Sequence, residues 1–92
     1  VRADFEGELW RYPGPGGWTF VTLPASEALD FPVTGAFGRT PVVATVDGRT
    51  WETSLWRDRE RGVLLAVPAR IRGGKIAGDR VRVSVVFAGR VG

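Results

Sequence analysis

Apolar and polar residues alternate with a period of two along most of this chain, the pattern of strands with one buried and one wet face. In residues 3–11, Phe5 and Leu9 share one face while Asp4, Glu6, Glu8 and Trp10 share the other. Pro13-Gly14-Pro15-Gly16-Gly17 then interrupts the ladder, because proline lacks a donor and glycine weakens a strand. Residues 18–23 read as the returning strand, ended by Pro24, with Trp18 and Phe20 expected on the core face. Residues 25–40 lose the alternation and read as a long crossing connection. Ser26 followed by Glu27 would cap a single helical turn there, and Pro32 and Gly35 would stop it from extending.

The second half is more regular. Residues 42–46 and 50–56 flank Asp47-Gly48, a pair favoured in the type I′ turn of a two-residue hairpin. In the second of these strands Trp51, Thr53 and Leu55 share one face, and Thr50, Glu52, Ser54 and Trp56 the other. A charged loop is expected over residues 57–62. Residues 63–67 are apolar on both faces, as in a strand buried from two sides. Residues 68–77 hold a turn or short helix weakened by Gly73-Gly74. Gly78-Asp79 then turns into a last strand where Val81, Val83, Val85 and Phe87 alternate with Arg80, Arg82 and Ser84. Six strands, with one short helical turn or 3-10 segment, predict a single all-β domain over residues 1–92. Closure into a small β-barrel is the expected remedy for exposed strand edges.

Composition removes several chemistries. The 92 residues include no cysteine and no histidine, which excludes disulfides, thiolate metal sites, Cys–His or Ser–His catalysis and the usual zinc and haem ligands. No catalytic residue, metal site or cofactor is therefore assigned, and the domain is expected not to be an enzyme. The pI of about 10.6 overstates the basicity. Net charge is only +3, and with one Tyr and no His or Cys almost nothing titrates between the carboxylates and the arginines. Asp4, Glu6 and Glu8 stand where a signal peptide would need an apolar run, and no stretch approaches the length of a membrane span. The expectation is a cytoplasmic domain without membrane contact, monomeric as a self-contained barrel.

One series of residues extends this reading. Phe5 and Leu9 precede a Gly-rich turn into Trp18-Thr19-Phe20-Val21 and Leu23-Pro24. Thr53-Ser54-Leu55, Gly62, Leu65 and Arg70 follow, and then Gly74-Lys75-Ile76-Ala77-Gly78-Asp79-Arg80-Val81. In order and spacing this set resembles the DUF1905 family over about residues 3–87. The resemblance implies a double-split β-barrel, akin in shape to the AbrB, MazE and MraZ barrels, whose chains carry a similar Arg…Gly-Asp-x-Val segment. It implies no activity. It also implies that Arg70 pairs with Asp79 to pin the turn before the last strand. Residues 57–61 depart from the family pattern: all five are charged, where a Pro/Gly-rich loop is expected.

Three constellations carry candidate chemistry. Arg57, Arg59, Arg61, Arg70, Arg72 and Lys75 face only Asp58 and Glu60 as acids, a local charge of +4 against −1 for the rest of the chain. Clustered arginine is the footprint of phosphate binding, whereas a self-paired, solvated Arg-Asp-Arg-Glu-Arg loop has little structural consequence. Trp10 and Trp56 fall on the polar faces of their strands, with Tyr12 in register beyond Trp10. Such rings either stack on bases or sugars or pack over an end of the barrel. The row Asp4, Glu6 and Glu8 reads as a wet strand face rather than an acid–base pair. The function expected is a non-catalytic accessory or ligand-binding barrel. The alternative is binding of nucleic acid or another polyanion through residues 57–75 and the outward tryptophans.

Overall fold

The first strand is bent, and the bend organises the sheet. In the computed structural model, which describes residues 1–33 and 38–89, the segment expected as one strand forms β1 (Arg2–Glu8) and β2 (Trp10–Arg11). It is followed by β3 (Thr19–Thr22), β4 (Thr40–Val46), β5 (Arg49–Asp58), β6 (Gly62–Ala66) and β7 (Arg80–Phe87). Two four-residue helical turns, α1 (Ala25–Ala28) and α2 (Ala69–Arg72), complete the elements among the described residues. All strand pairs are antiparallel, in the order β1-β7-β4-β5-β6-β3-β2. The two ends of this order, β1 and β2, are consecutive in the chain. One bent strand thus joins both ends and curls the sheet into a barrel-like form, so six predicted strands become seven.

Leu9 is the bend. Its N–H still donates to Asp79 O at 2.8 Å, and its carbonyl accepts from Gly78 N at 2.7 Å, before Trp10 pairs with Phe20. Its side chain is fully buried, which contributes about 1.5–3 kcal/mol on transfer grounds. Around it, β4 supplies Val42, Ala44 and Val46 to the interior and β7 supplies Val81, Val83 and Val85. The period-two alternation of both strands therefore matches the pleat. Trp51 is buried as expected. The turn between β4 and β5 has positive φ at both Asp47 (48°) and Gly48 (84°), as a type I′ turn requires.

Both ends of the barrel are plugged, and β5 holds both plugs. Ile71 of α2 and Phe31, downstream of α1, are buried in the core. At one end of β5, Arg49 Nη1 donates to Ile71 O at 3.2 Å; at the other, Arg57 Nη2 donates to Phe31 O at 2.9 Å. The connection after β3 begins its helical turn at Ala25. Pro24 stands at the cap with no side-chain cap bond, so Ser26 lies inside the turn rather than capping it. Gly35, expected to help end this segment, lies outside the described residues.

Two expectations are corrected. The charged segment is not a six-residue loop: β5 runs through Arg57 and Asp58, whose backbones pair with Val63 and Gly62, so only residues 59–61 turn. Trp18 is not in the core but 66% exposed. Both faces of residues 18–23 are apolar, and the smaller side chains of Val21 and Leu23 take the narrow interior, both buried. That puts Trp18 and Phe20 outside.

Close approach across the bend depends on Gly7. A Cβ added there would stand 2.5 Å from Val21 Cγ2, in a core where Val21 has no room to retreat. Gly7→Ala is expected to destabilise the domain by about 1–3 kcal/mol through overpacking, read as a lower urea midpoint. An unchanged midpoint would contradict the close fit.

Candidate functional site

The outer surface of the barrel is divided. Over β1 and β7 it is charged and self-paired: Arg2 Nε meets Asp4 Oδ2 at 2.8 Å and Arg80 Nε meets Glu6 Oε1 at 3.1 Å. Asp4, Glu6 and Glu8 are all exposed there, the wet strand face expected of them. Over β2, β3, β6 and β5 it is aromatic. Register makes this so: Trp10 lies opposite Phe20, Phe20 opposite Ala66, and Trp56 opposite Leu64. Leu64 and Ala66 are buried although they face outward, while Leu65 faces inward. This is the strand buried from two sides that its sequence predicts.

Trp10, Tyr12 and Phe20 form one cluster, with ring centroids 5.3 Å apart for Trp10–Phe20, 5.8 Å for Trp10–Tyr12 and 6.0 Å for Tyr12–Phe20. Trp10 Nε1 donates to Thr22 Oγ1 at 2.9 Å. Trp10 is therefore outward, as its parity predicts, but half-buried among its neighbours. Trp56 is exposed, with the Arg39 guanidinium 4.2 Å from its ring centroid. Between these groups runs a trough of about 300 Å³ walled by Trp18, Phe20, Trp56 and Ala66. Trp18 is also a wall of an adjoining pocket of about 250 Å³, bordered by Arg11, Gly16, Gly17 and Arg72.

Asp58 sets the other rim. Its Oδ1 accepts from the N–H groups of Glu60 (2.8 Å) and Arg61 (3.0 Å), and its Oδ2 accepts from Tyr12 Oη at 3.3 Å. The tightened turn lays the Arg61 guanidinium 4.6 Å from the Tyr12 ring centroid and 5.7 Å from that of Trp10. These backbone donors, with the Tyr12 hydroxyl adding to them, hold the Asp58 carboxyl below the usual carboxylate range.

The fold does not assemble the six basic residues of the 57–75 segment into one patch. Arg57 is half-buried and structural: Nη1 donates to Gly38 O (2.7 Å) and Thr40 Oγ1 (2.8 Å), besides the bond to Phe31 O. Arg59 and Arg61 sit at the β5–β6 turn, and β6 separates them from Arg70, Arg72 and Lys75 around α2. Arg72 donates to Val67 O at 2.7 Å and Lys75 O at 3.2 Å. Lys75 pairs with Asp47 at 2.7 Å and donates to Arg80 O at 2.7 Å. Arg70 does not meet Asp79: it is exposed and makes no ion pair among the described residues, while Asp79 Oδ2 accepts from Ile76 N at 2.8 Å. Lys75, not Arg70, is the cation that ties down this end. Sequence reasoning missed Trp18, Phe20, Arg11 and Arg39 as site residues. Trp18 is turned outward because Val21 and Leu23, on the opposite face of its strand, fill the interior.

A larger cleft of about 680 Å³ lies between α1 and β6, beside Phe31 and Val63, but its inner cation, Arg57, is already taken up by three carbonyl and hydroxyl acceptors. Among the described residues no cluster of carboxylates could hold a metal ion, and no helix is long and apolar enough to cross a membrane.

The family model described as a domain of unknown function, DUF1905, matches residues 5–85. The chain belongs to the DUF1905 family. No curated protein matches it. The family's description carries no activity, so what this DUF1905 domain does is argued from its surface.

Two measurements separate structural from surface arginines. Arg57→Ala is expected to cost about 2–3 kcal/mol of stability, since it strips charge-assisted bonds from partly buried acceptors, while Arg59→Ala stays within about 0.5 kcal/mol. Equal urea midpoints for the two variants would contradict this division. Stability should also depend on pH through Asp47 and Asp58. Asp47 is lowered chiefly by its bond to Lys75, and Asp58 by the backbone donors. Carboxylates lowered in the folded state stabilise it fully above their unfolded value of about 4 and lose that contribution as pH falls through the lower folded values. Denaturation between about pH 6 and about pH 3 should show this loss, with a flatter profile for Asp47→Asn/Asp58→Asn. An equally steep profile in that variant would place the acid sensitivity elsewhere.

Proposed function

We propose that this DUF1905 domain is a non-catalytic binding module whose recognition surface is the outer aromatic trough. The observation that carries the reading is Trp18, which is 66% exposed beside Phe20 and Trp56 over a concavity of about 300 Å³. A large indole held in water at the mouth of an apolar groove is a surface suited to a partner, since most rings of this size are buried. The walls carry no carboxylate, hydroxyl or amine. They offer area and π-faces, which bind, rather than groups that move protons. Phe20, Ala66 and Trp56 stand on β3, β6 and β5, and Trp18 directly precedes β3, so most of the groove is set before a ligand arrives and little ordering is needed on binding.

A titration of the ¹⁵N-labelled domain with small heteroaromatic fragments tests this. The expected result is that shift changes concentrate on the indole N–H groups of Trp18 and Trp56 and on the amides of Phe20 and Ala66. Changes concentrated at the cleft beside Phe31 and Val63, or none at millimolar fragment, would overturn it.

A further inference from the structure

Resting on the trough as the binding surface, the geometry points to its ligand: we infer that it holds unpaired nucleotides of a single-stranded nucleic acid, bases on Trp18 and Trp56 and phosphates on the flanking arginines. Three observations carry this. The first is the pairing of rings with cations at both ends of the trough. Beyond Trp18 stands Arg11, bordering the adjoining pocket beside Arg72, whose guanidinium already donates to Val67 O and Lys75 O; at the other end Arg39 lies over Trp56 and Arg61 over Tyr12. Aromatic platforms supply sequence-tolerant stacking, and a basic track follows the backbone.

The second is the placement of acids. No carboxylate lines the trough or the Arg11 pocket. Of the acids nearby, Asp58 accepts from two backbone N–H groups and the Tyr12 hydroxyl, Glu60 points into solvent 3.9 Å from Arg61, and Glu52, exposed on the outer face of β5 four residues before Trp56, lies outside the trough walls. The acidic row of β1 lines neither the trough nor the Arg11 pocket. A neutral sugar would need carboxylate or amide acceptors for its hydroxyl hydrogens, and the walls provide none. A polyanion with flat, apolar faces matches what they do provide.

The third is spacing. By register, Trp18 and Trp56 lie on a diagonal across Ala66, two strands and about four residues apart. At ~4.8 Å between strands and ~3.3 Å per residue, their backbones stand roughly 16 Å apart. Indoles leaning in from both sides leave room for stacked bases along the trough. A duplex cannot use it, since its bases are already stacked and paired.

The test is fluorescence anisotropy with labelled oligothymidylate and oligouridylate of about ten nucleotides, at about 50 and about 200 mM salt. Binding is expected at low salt, weakening as salt rises. Trp18→Ala and Trp56→Ala should each weaken it by about tenfold, with the unfolding midpoint of Trp18→Ala near wild type because that ring is 66% exposed. Arg11→Gln should reduce the logarithmic salt slope by about 0.7. Arg2→Ala, on the opposite face, should change nothing. Absence of binding at low salt, while heteroaromatic fragments still land in the trough, would overturn this inference and leave the binding-module reading standing. Equal affinity for the matching duplex or for heparin, or affinity unmoved by Trp18→Ala, would reduce it to surface charge and also overturn it.

Discussion

The interaction on which the structure depends is the change of partner at Leu9. A seven-strand antiparallel sheet in a chain of this size would leave two edges of unpaired N–H and C=O groups. This domain instead assigns both edges to one strand, β1 pairing with β7 and β2 with β3. The switch requires a residue that bends without losing its backbone bonds and a side chain that rewards the bend. Leu9 keeps Asp79 O and Gly78 N as partners and buries its whole side chain. Gly7 lets the strand lie against Val21. Joining the two ends of the sheet in one bent strand curls it around the core and limits the edge left open to pairing with other chains.

The same closure dictates what the outside looks like. A barrel this narrow fills its interior with valines, leucines and alanines, and only Trp51 among the tryptophans is buried. The other tryptophans, with Tyr12 and Phe20, stand outside, and register collects them on and beside β2, β3 and β5 around the small Ala66. Trp10, Tyr12 and Phe20 shield one another, which leaves Trp18 and Trp56 facing water. An aromatic face is thus partly a geometric consequence of a small barrel. Its flanking guanidiniums are not, because nothing in the packing requires Arg39 over Trp56 or Arg11 beside Trp18.

Much of the fold was legible in the sequence because its signals are local. The type I′ hairpin follows from Asp47-Gly48, the two-sided burial of β6 from unbroken apolar residues, and the inward valines of β7 from strict alternation. The bend at Leu9 was not legible, since residues 3–11 alternate without a break and nothing local says that the partner changes. Trp18 was misplaced for a related reason: with apolar residues on both faces of the strand, parity alone cannot choose, and the width of the interior decides. The site was legible only in part. Trp56 and Arg61 belong to the aromatic face and Arg72 to its adjoining pocket, but sequence proximity grouped them with Arg57 and Lys75, which hold the ends of the barrel together. Arg11 and Arg39, far from that segment in sequence, reach the trough only through the sheet.

Arginine therefore does two kinds of work here, and the acceptors present distinguish them. Where backbone carbonyls are left unpaired at the barrel ends, as at Phe31, Gly38, Val67 and Ile71, a guanidinium satisfies them and is fixed in place. Its charge is then partly spent on the fold. Where the neighbour is a ring, as for Arg39 over Trp56 and Arg61 over Tyr12, the cation meets a π-face, and Arg61 Nη1 also donates to Tyr12 Oη at 3.4 Å. A cation beside an exposed indole is the arrangement on which the proposed recognition surface rests. The turn that carries Arg61 is held by Asp58, which accepts from the Glu60 and Arg61 N–H groups and from Tyr12 Oη, so the rim is set by the folded state itself. The preorganisation of the aromatic face and the stability of the barrel thus draw on the same strand, β5, whose two ends bind the plugs and whose Trp56 and Asp58 build the face.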